Sequence, residues 1–254
     1  MNSLITVVLW GHIVVAFTGV AAFWVPVLSR KGGRLHRFFG KVFAWCAYLV
    51  NGSALLITGL RLGQVLAGSV SFADDPETGG LTVFLGYLAI VTLACVRHGV
   101  RAVGTRDDRN ALRTPFQITL AVAAMLGSLV IVLSSVLLWS RLSILFLLLS
   151  PVGLLLGAHM LRSMARPPAR PKAWVLEHMG AMLAAGIAFH TAFAVFGLGR
   201  LFSLAPQGTW WFLPWIAPAA VGVPLTILWI RAHERRLRKL EPGSGRTFPD
   251  ERVG

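Results

Sequence analysis

Apolar residues in this chain gather into seven long runs, near Leu4–Leu28, Lys41–Leu62, Leu81–Val103, Pro115–Leu138, Arg141–Ser163, Ala173–Phe202 and Trp211–Ala232. A bilayer crossing needs about 20 predominantly apolar residues, and each run is long enough. The fourth and fifth are nearly continuous, broken only by the "WSR" of Trp139–Arg141, so a tight turn is expected there. The pattern predicts an all-α, polytopic membrane bundle of about seven transmembrane helices. Residues 1–240 form the bundle, and the polar, Gly- and Pro-containing tail 241–254 is expected to be disordered.

The polar connectors between the runs are not alike. Ser29–Gly40 carries Arg30, Lys31, Arg34 and Arg37. Gly104–Thr114 carries Arg106, Arg109 and Arg113, Arg166–Lys172 adds three basic residues, and the final "RAHERRLRKL" adds more. The alternate connectors lack this charge: Gly63–Gly80 has no Lys or Arg but holds Asp74, Asp75 and Glu77, and Ser203–Trp210 is uncharged. Basic connectors stay in the cytoplasm, which predicts the N-terminus outside and the C-terminus inside. The stretch "SRKGGRLHRFFGK" is thus expected to be a cytoplasmic anchor.

Composition agrees with that partition. Of 254 residues, 56% are hydrophobic and 13% charged, with a net charge of +14; soluble domains carry about 25% charged residues. The basic excess lies in connectors rather than on one face, which argues against nucleic acid as a partner and for the lipid bilayer. Cys46 and Cys95 fall inside apolar runs and read as packing residues. Trp24, Trp139, Trp174, Trp210 and Trp211 sit near run ends, as an interfacial belt would. Gly180, Ala181, Ala184, Ala185, Gly186 and Ala188 permit close helix approach. Pro151, Pro214, Pro218 and Pro224 are expected to kink their spans and open a cavity.

Two sets of motifs carry a resemblance. The first is His12 followed by Lys31, Gly32, His36, Arg37 and Gly40. The second is Trp174, His178 and Met182 with "TAF" at Thr191–Phe193. Together they resemble a broad bacterial family of uncharacterised multi-spanning membrane proteins with KG…HR…G and W…H…M…TAF motifs. The resemblance covers both ends of the chain, and it implies a compact helical bundle in the bacterial inner membrane.

Ionisable residues inside a membrane default to functional candidates. Here they are histidines: His12, His98, His159, His178 and His190, with Glu177 the one acidic residue placed within a run. Embedded carboxylates, which proton-coupled transport would use, are nearly absent. Imidazoles without carboxylates suit haem iron or a transition metal. His159 and His178 flank the Pro167–Pro168 turn almost symmetrically, so antiparallel helices would set both roughly 8 Å inside the interface. His12 enters about 12 Å from the other side, and His190 lies about 18 Å from that end of its helix. The leading expectation is a redox protein holding b-type haem between His12 and His190 and between His159 and His178. Quinone would be its electron partner. One alternative is a zinc or other transition-metal site of His36, His98, His159 and His178, which would support a membrane hydrolase. The other is a cofactor-free protein that binds or transports a lipid or small amphiphile.

Overall fold

The computed structural model describes residues 3–166, 172–197 and 210–239. The expected Pro167–Pro168 turn, most of the Ser203–Trp210 connector and the 241–254 tail lie outside them. Within them the fold is helical throughout. In chain order the helices are α1 (Ser3–Leu28), α2 (Arg34–Leu66), α3 (Pro76–Gly104), α4 (Pro115–Leu137), α5 (Ser143–Leu149), α6 (Pro151–Ala165), α7 (Ala173–Ala192) and α8 (Leu213–Lys239). A 3₁₀ turn, Arg109–Leu112, precedes α4, and a π-helical segment, Phe193–Gly197, extends α7. Seven spans are long and apolar enough to cross a membrane, with α5 and α6 together forming the fifth.

Apolar side chains also cover the outside, as contact with a bilayer allows. Val7, Trp10 and Val14 project from one face of α1, and Leu129, Leu133 and Val136 from one face of α4. Lipid supplies little apolar driving force between helices, so association rests on close packing and on satisfied polar groups. The central helix, α3, packs against α2, α4, α6 and α7. The end of the bundle where α2 finishes and α3 begins is called the acidic end below, and the opposite end the basic end.

Several helices are longer than their apolar runs, α2 and α3 most clearly at their starts. Asp75 caps α3, accepting a hydrogen bond from the Thr78 amide at 3.1 Å, and Pro76 occupies the first turn. This is a strong start signal, and it moves the helix start from Leu81 to Pro76. Hydrogen bonding to Thr78 holds the Asp75 carboxyl below the ordinary carboxylate range. At the basic end, α2 already begins at Arg34. Most of "SRKGGRLHRFFGK" is therefore helix rather than loop, and only Ser29–Gly33 turns the chain. Gly32 takes the left-handed conformation (φ 74°) that the turn requires, a conformation nearly free of strain in glycine.

Pro151 divides the fifth span, and its neighbours repair the break. Proline has no N–H for the Leu147 carbonyl; the Ser150 hydroxyl donates to that oxygen instead, at 2.8 Å. The Gly153 amide donates to the Tyr87 hydroxyl at 2.7 Å, which donates in turn to the Ser150 carbonyl at 2.9 Å. Side-chain repair of this kind is what lets a prolyl break persist in lipid. Just beyond the break, Gly153 and Gly157 bring α6 onto the backbone of α4. A Cβ at either position would lie 2.4 Å from the Ala124 carbonyl oxygen or 2.5 Å from that of Ala121. This is a small-xxx-small contact.

Candidate functional site

Four helices (α1, α2, α3 and α7) line a half-open cavity of about 370 Å³. It extends along α3 from Thr78 at the acidic end to Thr92, fourteen residues further, a length of roughly 21 Å. Its walls are mainly apolar, with Ile13 and Phe17 from α1, Ile57 from α2 and Leu85 from α3. Phe193, Phe196 and Gly197 of the π-helical segment form part of the α7 wall. A π-bulge shifts the face a helix presents, and such segments are frequent at functional sites. Phe193 is fixed by an edge contact with Phe17, and Phe196 by one with Trp215 of α8 (centroids 5.2 and 5.8 Å). The prolines expected to open a cavity do not line this one. The π-helical segment lines it instead.

Few polar groups reach the cavity. His12 Nδ1 lies 2.8 Å from Ser53 Oγ, whose hydroxyl donates to the Val50 carbonyl at 2.9 Å. Nδ1 therefore carries the imidazole hydrogen and Nε2 keeps its lone pair. Asn51 donates to the Ala47 carbonyl at 2.7 Å. Thr78, Thr82 and Arg61 lie toward the acidic end. Arg61 is the residue that sorting charges by connector passes over, because it falls inside the second apolar run. Its signal was the departure itself: an arginine on the side where basic residues are otherwise scarce.

The other histidines are placed differently from what their depths implied. His190 donates from Nδ1 to the Gly186 carbonyl at 2.7 Å, and its Nε2 accepts from the Trp24 indole at 3.0 Å. Both nitrogens are engaged, leaving no lone pair for iron. Trp24 is twelve residues from His12 on α1, roughly 18 Å of rise, so His12 and His190 do not oppose each other. His159 is exposed on α6, which packs on α4 and α3, whereas α7 packs on α3 and α8. Equal depth does not make His159 and His178 neighbours, because α3 stands between their helices. Neither expected haem pair is assembled.

At the basic end the structure does bring His36, His98 and His178 near one another. His178 donates from Nδ1 to the Gly99 carbonyl at 2.8 Å, and His36 donates from Nδ1 to the Pro26 carbonyl at 3.1 Å. Their ring centroids are 6.3 Å apart. His98, 1% exposed, lies with Nε2 3.7 Å from the Glu177 carboxylate. Met182 packs its sulfur against Gly99, where a Cβ would approach to 2.9 Å. Lys31 folds back on α1, reaching the Pro26, Val27 and Ser29 carbonyls, and stacks over Trp229 at 4.7 Å. The helix end leaves carbonyls without amide partners, and Lys31 and His36 occupy them. Among the described residues, no group of three or more His, Cys, Asp and Glu is disposed to hold a metal. The four-histidine metal site is thus not assembled: His159 lies elsewhere and His98 is turned toward Glu177. Cys46 and Cys95 are buried free thiols.

Comparison with protein-family models, curated proteins and solved structures finds no match to this chain.

Proposed function

We propose that this protein is a cofactor-free, membrane-embedded binding protein for a single-chain lipid or small amphiphile, held in the cavity between α1, α2, α3 and α7. The observation that carries this reading is the shape and lining of that cavity. It is long and apolar along most of its length, with His12, Asn51, Arg61 and four threonines as the polar groups of its described lining. Ligand pockets commonly span about 300–1,000 Å³ and combine apolar walls with a few placed polar groups. The basic connectors orient the bundle with its basic end in the cytoplasm of a bacterial inner membrane, so the ligand end faces outward. Passage of the ligand between leaflets or to a soluble carrier would follow from that position.

The test is lipid extraction and native mass spectrometry of the full chain purified in nanodiscs. A bound amphiphile is expected in the wild type. It should be lost in Ala54→Phe or Ala192→Phe, which place a ring in the cavity while the protein stays monodisperse. A wild-type protein with no bound amphiphile, or one whose ligand survives both substitutions, would remove this reading. A reducible Soret band in the same preparation would return the haem alternative.

A further inference from the structure

Among the described residues, the cavity lining holds a single charged side chain, Arg61, and no Asp or Glu. From this we infer that the ligand carries an anionic head, a carboxylate or phosphate, bound by Arg61 at the acidic end with its apolar chain directed toward Thr92. The inference rests on the binding function proposed above and specifies its ligand.

Arg61 is half-buried, and among the described residues the hydrogen bond of its guanidinium is a long one, from Nη1 to Gln64 Oε1 at 3.4 Å. Of the three acids of the same end, Asp74 is exposed and outside the cavity lining, and the other two have partners of their own. Glu77 pairs with Arg141 at 3.4 Å, and Arg141 also stacks over Trp211 at 5.2 Å. Asp75 receives the Thr78 amide as the cap of α3. Arg61 thus retains donors in a fork that matches a carboxylate or phosphate, inside apolar walls where a charge without a counter-charge is costly. Depth also fits. Ser53, the partner of His12, is eight residues from Arg61 on α2, so Arg61 stands roughly 12 Å nearer the acidic end. An anion at Arg61 leaves the length beyond it, past His12 and on to Thr92, for an apolar chain.

The test uses the full chain in phosphatidylcholine nanodiscs and displacement of a fluorescent fatty acid by dodecanoate, dodecyl phosphate and dodecanol. At least one of the two anions should compete about tenfold or more better than dodecanol, as a charge-assisted hydrogen bond provides. Arg61→Gln should abolish that preference while dodecanol competes as before, and Arg61→Lys should keep most of it. Whichever anion is tighter identifies the head as carboxylate or phosphate. Equal competition by all three in the wild type, or a preference that survives Arg61→Gln, overturns the inference while leaving chain binding intact. If the fluorescent fatty acid does not bind, or Ala192→Phe leaves its binding unchanged, the binding function fails and this inference with it.

Discussion

At the acidic end, α1, α2, α3 and α7 part around a cavity; toward the basic end the same four helices are tied together. The ties are hydrogen bonds from histidine and tryptophan side chains. His36 joins α2 to α1 through the Pro26 carbonyl, His178 joins α7 to α3 through Gly99, and Trp24 joins α1 to α7 through His190. His12 also bonds across helices, from α1 to Ser53 of α2, but it lines the open space. One residue type thus does two jobs, and the difference lies in whether the ring lines the cavity. His190 has partners for both ring nitrogens and is a fastening. His12 is among the cavity-lining residues. A histidine count taken from the sequence merges the two.

The two ends can be separated most sharply by an all-or-none experiment. On intact cells, an impermeant thiol reagent should label a cysteine at Asp75 and spare one at Gly104. The reverse pattern would turn the cavity toward the cytoplasm. Next in size is Gly99→Leu, which forces a branched side chain into Met182 and Ala181 and wedges α3 from α7. Overpacking of this kind costs about 1–3 kcal/mol, visible as earlier thermal unfolding in detergent. Amphiphile binding should survive in the fraction that stays folded.

His178→Ala removes one fastening and should lower stability by about 1 kcal/mol, with ligand content and visible absorption unchanged. A haem or metal lost with that side chain would overturn its assignment as a structural tie. His12→Ala should behave in the opposite way. Its stability change should stay below about 1 kcal/mol, while dissociation of the bound amphiphile becomes faster. The smallest effect belongs to His159→Leu, on the exposed face of α6. A change within about 0.5 kcal/mol and unaltered binding are expected; a large change in either would place His159 back among the working residues.

The seven spans were legible without coordinates, because a bilayer crossing requires a long uninterrupted apolar segment and the chain spells seven of them. The asymmetry of its ends was legible for a similar reason: basic residues collect in alternate connectors. Local start signals such as Asp75–Pro76 were also present in the sequence, although apolar length alone placed that helix start five residues late. Which helices touch was another matter. His159 and His178 share a depth because depth depends only on distance along the helices, whereas adjacency depends on lateral packing. That packing was decided by close contacts such as Gly153 and Gly157 on α4 and Gly99 on Met182, which place α3 between α6 and α7. The cavity and its π-helical wall likewise follow from how four helices meet. An apolar pattern tells each helix to leave water, but lipid and a neighbouring helix satisfy it equally well, so the choice between them falls to shape and hydrogen bonds in the assembled bundle.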